Sequence, residues 1–457
     1  MADTAPSGAG EHRVQGTDPP GVHERLAQHL LVDGFPLVLD LESSRGSQLV
    51  DSVSGETYLD LYTSFASSPL GFNPPAIVED REFMSLLGAV AANKPANCDL
   101  YTTHFADFVE TFTRVLGDPE LPHLFFVEGG AQAVENALKC AFDWKSRHNE
   151  LKGRSPDLGT KVLHLRSAFH GRSGYTLSLT NTDPGKTERF PVFDWPRIDA
   201  PVMRFPAADH LADVQDSEQR ALEQAESAFR QHPHDIACFI AEPIQGEGGD
   251  NHLRAEFLQA MNRLCAENDA LFVLDEVQTG VGITGSAWAY QQLGLSPDVV
   301  AFSKKVQLGG IMAGRRVDEV PQNVFRVSGR ISSTWSGGLV DMVRSRRLLE
   351  IIERDGLIGH ACDLGTYLLN ALIELADAHP ELVDNARGRG LMCAFDLPTA
   401  SLRNEIVRRL LVEEKVLVLP SGVRSVRLRP ALSISKEEVD TVLESFDRVL
   451  SRTSYLE

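Results

Sequence analysis

No stretch of this chain approaches the ~18 uninterrupted apolar residues that a membrane-crossing helix requires, so a soluble protein is expected. The first residues, Met1 to Pro20, have no basic start and no apolar run. Their mixture of Gly, Pro, Ser, Thr and acids predicts a frayed tail rather than a secretory signal or an anchor. Basic residues are scarce, with 44 Lys and Arg against 64 Asp and Glu, and the net charge of −20 repels phosphate backbones and anionic lipid. Neither nucleic acid nor a membrane is expected as a partner, and any small anion must be met by a local cluster of donors. The six cysteines include no CxxC pair and several fall inside apolar runs, which predicts reduced, structural thiols and a cytoplasmic protein. The fourteen histidines form no HExxH and no cluster with cysteine, so no metal site is expected. There is no internal repeat and no long charge run. No GxGxxG follows an early strand with an acid at the expected distance, which argues against a nicotinamide oxidoreductase.

What the chain does contain, from Leu124 onward, is an alternation of short β-rich runs with helical patterns. LFFVE (124–128), KVLHLRS (161–167), IACFIAEPI (236–244), LFVLDEV (271–277) and DVVAFS (298–303) are nearly continuous apolar strands. Strands of that kind, separated by helices, predict an α/β fold with a mostly parallel sheet covered on both faces. Ligands collect at the carboxyl ends of such strands, and here those ends carry Glu128, Glu242, Asp275 and Lys304. After about Met342 the pattern changes to long helices, VRSRRLLEIIERDG and LGTYLLNALIELADAH. RGRGLMCAFDL, a helix near Leu402 to Glu414 and a strand pair around VLVLP and VRLRP then complete a smaller α+β domain, with help from the segment between Val32 and Leu61. The Pro-rich stretches Pro69 to Pro75 and Phe190 to Pro201 read as ordered loops.

A lysine amine forms a Schiff base with an aldehyde, and a carboxylate holds a pyridine nitrogen protonated. Asp275 at one strand end and Lys304 just past another are therefore the pair that pyridoxal phosphate needs. Taken singly, such an acid often caps a helix and such a lysine is usually solvated; the two together in matching strand contexts make the cofactor reading the stronger one. The run Glu128, Gly129, Gly130, Ala131, Gln132 lies between a strand and the helix AVENALKCAFDWK, where bare amides at a helix N-terminus can cradle a phosphate; alone it is equally an ordinary glycine-rich helix start. Phe169, His170, Gly171 and Arg172 follow another strand end, with a ring to stack on a pyridine and a guanidinium to pair a carboxylate. Pro184, Gly185, Lys186 and Thr187 look like the end of a P-loop, but Thr180 stands where its first glycine belongs, so that motif is rejected.

With these residues assembled, the chain resembles the class III (ω-) aminotransferases, which have the pyridoxal-phosphate-dependent transferase fold type I, like aspartate aminotransferase. Within them it is most similar to the lysine 6-aminotransferases (lysine ε-aminotransferases). The likeness runs from about Leu31 to Ser435 through LFFVEGGAQAVENALKCAFDWKSRHN, FHGRSGYTLSLTNT, FDWPRIDAP, AEPIQGEGGD, LDEVQTG, MAGRRVDEV and RGRGLMCAF. It implies four parts: a tail (1–20), an N-terminal segment completing the small domain (21–90), a large cofactor-binding domain (91–341) and a small C-terminal domain (342–457). It also implies that Lys304 binds the cofactor aldehyde, Asp275 the pyridine nitrogen and Gln278 the ring hydroxyl. Phe169 and Val277 would lie on the two ring faces, Gly130 and Ala131 would hold the phosphate, and Thr334 would reach the phosphate of the neighbouring subunit in a homodimer with shared active sites. Ser303 precedes Lys304 where the family usually has glycine, and Lys305 is the competing lysine. Ala131 replaces a usual Ser or Thr, as in lysine 6-aminotransferases, whereas Ser332, in the substrate-pocket wall, stands where that subgroup has asparagine.

The reaction implied moves the ε-amino group of L-lysine to 2-oxoglutarate in two ping-pong half-reactions. They yield glutamate and 2-aminoadipate 6-semialdehyde, which cyclises to piperideine-6-carboxylate. One pocket must then take two charge patterns: Arg172 suits the distant carboxylate, Arg427 the carboxylate nearer the ring, and Glu247 would neutralise Arg427 when lysine is bound. Arg429 lies two residues beyond Arg427 on the same strand face, so spacing alone does not choose between them. The alternatives are an ω-aminotransferase for ornithine, 4-aminobutyrate or a diamine, and a pyridoxal phosphate aminomutase or decarboxylase.

Overall fold

The computed structural model describes residues 17–453. The expected tail lies outside the described residues up to residue 16, and Pro19–Gly21 form a 3-10 turn leading into the helix Val22–Ala27.

Seven strands form the central sheet, in the order His123–Val127, Gly309–Ala313, Val299–Phe302, Leu271–Asp275, Ile236–Ala241, Lys161–Leu165 and Arg197–Ile198. All are parallel except Gly309–Ala313, which runs antiparallel to both its neighbours. The five anticipated strands are present. Two more were not legible: Gly309–Ala313, because GGIMA opens with two weak strand formers, and the two-residue Arg197–Ile198, which pairs with Lys161–Leu165 inside a Pro-rich stretch expected to be loop throughout. The glycines of GGIMA are required by close approach: a Cβ on Gly309 would lie 2.2 Å from the Gly129 carbonyl oxygen, and one on Gly310 2.4 Å from the Phe302 ring.

Alternate residues of each strand face opposite sides, and both sides are covered, which is why the strands read as unbroken apolar runs. One face packs Val273, Val299, Ala301 and Ile311 against Ala133, Ala137, Ala141 and Trp144 of the helix Gly130–Leu151. The other packs Phe239, Phe272, Val300, Phe302 and Met312 with the helices Thr103–Leu116 and Leu339–Arg354. Phe302 sits 5.0 Å from Phe112, 6.0 Å from Phe126 and 5.9 Å from Trp288, ring centre to ring centre. Aromatic pairs of this kind add about 0.5–1.5 kcal/mol each beyond area burial, so the strand end just before Lys304 is firmly held.

Beyond the long helices Leu339–Arg354 and Leu357–Ala378, an antiparallel sheet runs Asp384–Arg389, Met392–Asp396, Ser425–Leu428, Leu419–Ser421. The anticipated strand pair divides its work. Leu419–Ser421 pairs with Ser425–Leu428, whereas Val416–Leu417 pairs in parallel with Thr57–Asp60 of an N-terminal three-stranded meander. Arg429 N donates to Leu61 O at 2.8 Å and Thr63 Oγ1 to Arg429 O at 2.6 Å, which ties the N-terminal segment to the strand carrying the candidate substrate arginines. No helix among the described residues is long and apolar enough to cross a membrane.

Candidate active site

The Val299–Phe302 strand stops at Ser303, and Lys304 takes a left-handed backbone conformation (φ 51°) that opens the 3-10 turn Lys304–Val306. That conformation is costly for a residue with a side chain and is found where the surroundings over-determine it. Here it aims Lys304 into a cavity of about 280 Å³ at the strand ends, lined also by Gly130, Ala131, Phe169, His170, Gly171, Arg172, Glu242, Glu247, Asp275, Val277 and Gln278. Burial, with Arg427 and Arg429 nearby, pushes the Lys304 amine down to about 7, so at neutral pH a large share is the unprotonated nucleophile. Lys305 goes elsewhere: it is buried, its Nζ donates to the Gln278 carbonyl at 2.8 Å, and it does not line the cavity. The two adjacent lysines thus point to different places, and the one that lines the cavity is Lys304, the one that the register favoured.

Asp275 closes the Leu271–Asp275 strand. Its Oδ1 accepts from Val277 N at 3.0 Å and its Oδ2 from His170 Nδ1 at 2.7 Å. Burial alone would lower the affinity of His170 for a proton, but the hydrogen bond and charge of Asp275, together with Glu242, outweigh it and raise the imidazole above its ordinary range. Glu242 accepts from Phe169 N and Gly246 N, both at 3.0 Å, and burial pushes it up to about 7. The sequence singled out His170 and Glu242 as neighbours of the cleft; that one holds Asp275 and the other fixes the Phe169 backbone emerges only in three dimensions.

Gly130 opens its helix opposite Val277 and Ser303: a Cβ there would meet Val277 Cγ1 at 3.0 Å and Ser303 Cβ at 3.5 Å. The first-turn amides of Gly130 and Ala131 have no intrahelical acceptor by position, and both residues line the same cavity as Lys304. A Cβ on Gly171 (φ 129°) would come within 2.7 Å of Ala131 Cβ, so the Phe169–Arg172 loop is pressed against this helix start.

At the mouth, Glu247 joins two cations. Its Oε2 accepts from Arg427 Nη2 at 2.9 Å and its Oε1 from Lys186 Nζ at 2.8 Å. These charges outweigh the effect of burial and hold the Glu247 carboxyl below the ordinary range. Arg427 is buried, with that single oxygen as its carboxylate partner and Nε unbonded. Arg429 is fully occupied: it pairs both Asp250 oxygens through Nη1 (2.9 Å) and Nη2 and donates from Nε to Gln278 Oε1 at 2.9 Å. Arg427 is itself not among the residues that line the cavity and meets it through Glu247, which is; of the two arginines it is the one with a nitrogen left unbonded. Arg172 is exposed on the cavity wall.

Other anticipated residues fall outside the cavity. Glu128, expected among the strand-end groups, turns away to pair with Lys94 at 2.9 Å. Ser332 and Thr334 are exposed and do not line it; the Thr334 carbonyl lies 3.5 Å from Cys98 Sγ. Lys186, met in the sequence only as part of a rejected P-loop, belongs to the site's mouth, a placement that depends on how the 3-10 turn Pro184–Lys186 folds back.

The cavity residues fit pyridoxal phosphate: an amine for the aldehyde, a carboxylate for the ring nitrogen, helix-start amides for the phosphate, and Phe169 and Val277 for the ring faces. Comparisons with known proteins agree. The family model "Aminotransferase class-III" matches residues 32–450. The chain is 61% identical over 425 residues, 93% of each chain, to the L-lysine-epsilon aminotransferase of Streptomyces clavuligerus, and 58% identical over 430 residues to that of Amycolatopsis lactamdurans, covering 94% of this chain and 95% of the relative. Among solved structures, lysine aminotransferase from Mycobacterium tuberculosis in the internal aldimine form superposes with a TM-score of 0.93 at 59% identity, over 95% of this chain and 99% of that one. The chain belongs to the class-III aminotransferases.

Proposed function

We propose that this protein is a pyridoxal-phosphate-dependent, cytoplasmic L-lysine 6-aminotransferase. It transfers the ε-amino group of L-lysine to 2-oxoglutarate, giving glutamate and 2-aminoadipate 6-semialdehyde, and works as a homodimer with shared active sites. The observation that carries the reaction class is Lys304 and Asp275 on the wall of one cavity. The lysine donor is supported by the 58–61% identity to L-lysine-epsilon aminotransferases. The division into a large domain (91–341) and a small one (342–457 with 21–90) belongs to the same reading, supported by the separate sheets.

When bound, the cofactor supplies an electron sink for the pair left behind as a substrate C–H proton is removed. Asp275, steadied by His170, would hold the ring nitrogen, Gly130 and Ala131 would hold the phosphate, and Gln278 would meet the ring hydroxyl. Lys304 Nζ, which lines the same cavity, would take the proton from the substrate ε-carbon. Arg172 pairs the α-carboxylate of lysine far from the reacting carbon, while Glu247 keeps Arg427 neutralised. For 2-oxoglutarate, Arg427 exchanges Glu247 for the α-carboxylate and Arg172 takes the γ-carboxylate. Ser332 and Thr334 act from the wall contributed by a second copy, Thr334 towards the phosphate.

The test is to mix the purified holoenzyme with L-lysine, then with 2-oxoglutarate, following the visible absorption band. Loss of the band, a piperideine product and recovery of the band support the assignment. No response to lysine but bleaching by ornithine or 4-aminobutyrate moves the donor, and a turnover that ignores 2-oxoglutarate points to an aminomutase.

A further inference from the structure

From the Lys186–Glu247–Arg427 bridge we infer that Lys186 is a positioning residue for the acceptor half-reaction, the cation that keeps Glu247 paired when a keto-acid carboxylate takes its place on Arg427. The inference rests on Glu247 and Arg427 forming the acceptor switch.

The two oxygens of Glu247 are divided, one to each cation, at 2.9 Å and 2.8 Å. Breaking the contact with Arg427 therefore leaves the contact with Lys186 intact. Arg427 is almost wholly buried, whereas Glu247 and Lys186 keep about a third and a fifth of their side-chain surface exposed. The displaced carboxylate thus moves towards the wetter side of the bridge, where Lys186 already stands. Its position is fixed on three sides: Nζ also donates to Thr182 Oγ1 at 3.1 Å and lies 5.5 Å from the centre of the Phe169 ring, which itself lines the cavity, and its backbone is held in the turn capped by Asp183. A lysine placed only to solubilise a loop would have no reason to be held this way.

Without Lys186, Glu247 would still have Arg427 in the lysine-binding state but no cation in the acceptor-binding state. A partly buried carboxylate without a partner is the costlier situation, so the loss falls on the acceptor. One charge-assisted hydrogen bond of this kind corresponds to about a tenfold change in an equilibrium constant.

The experiment measures binding of the unreactive dicarboxylate glutarate to the holoenzyme by calorimetry, alongside single-turnover rates of each half-reaction, for the parent, Lys186→Met, Lys186→Arg, Glu247→Gln and the double variant Lys186→Met/Glu247→Gln. Lys186→Met is expected to weaken glutarate about tenfold and to raise the KM for 2-oxoglutarate, with a much smaller effect on the lysine half-reaction. Lys186→Arg restores binding, and in the Glu247→Gln background Lys186→Met adds little, because its effect runs through Glu247. Glutarate affinity unchanged in Lys186→Met, or an equal loss in both half-reactions, overturns the role given to Lys186. A full effect that persists in the double variant overturns it too, by making Lys186 a direct ligand of substrate. A parent holoenzyme that binds no glutarate would instead strike at the dicarboxylate-acceptor reading itself.

Discussion

Lys304 and Lys305 are adjacent in sequence and have opposite fates: one opens onto the cavity, the other is spent on the Gln278 carbonyl. Borohydride reduction of the holoenzyme followed by peptide mapping should therefore place the pyridoxyl label on Lys304 alone; label on Lys305 would reverse the assignment. The lowered amine also has a pH consequence. Burial and two arginines disfavour the charged form, so the nucleophilic form grows as pH rises through about 7, far below the range of an ordinary lysine. The rate at which apoenzyme takes up pyridoxal phosphate should rise through that pH and then level off, and a rise confined to strongly alkaline pH would show that Lys304 is not perturbed in this way. Arg427 and Arg429 repeat the lesson of the lysines. Spacing could not separate them, but Arg429, just past the strand's end, is held by Asp250 and Gln278, whereas Arg427 has a single carboxylate contact, with Glu247.

Among the elements, the antiparallel strand Gly309–Ala313 matters most for the site, because it runs between the strand that leads to the phosphate cradle and the strand that ends at Lys304. Gly309 permits this: with 2.2 Å between its Cβ position and Gly129 O, any side chain must push the Gly129–Gly130 turn away. Gly309→Val is expected to weaken pyridoxal phosphate binding at least tenfold, measured by absorbance titration of apoenzyme, with the lysine Schiff base still able to form. An unchanged affinity would mean that the turn absorbs the strain elsewhere. Five of the six parallel strands were legible as apolar runs because both faces are covered; the two-residue Arg197–Ile198 is too short to show one. Gly309–Ala313 was not, because its residues were chosen for close packing rather than for strand propensity.

For the whole molecule, the proposed homodimer explains two features together. Thr334 and Ser332 are exposed and away from their own cavity, and nearby, beyond Cys98, the adjacent Leu100 and Tyr101 are 66% and 78% exposed, apolar surface that a second copy would cover. If each cavity is completed by a second copy, Lys304→Ala and Thr334→Ala damage different contributions to one site. Co-expressed, the two variants should form mixed dimers with one intact site and recover activity that neither homodimer has in full, in a species of twice the 50.2 kDa chain mass. Activity no higher than that of the separate variants would argue that each chain works alone.

The sequence by itself determined the α/β class and the strand ends where an acid and a pair of lysines stand, because apolar runs and the residues that end them are local properties of the chain. Only the tertiary structure decided which of two adjacent lysines and which of two neighbouring arginines is free to act, that Glu128 turns away, and that Lys186 from a discarded motif braces Glu247. These depend on the direction of a side chain and on partners far along the chain: 179 residues separate Arg429 from Asp250 and 61 separate Lys186 from Glu247. No local pattern encodes contacts of that range; they are set by the packing that brings distant loops to the same strand ends.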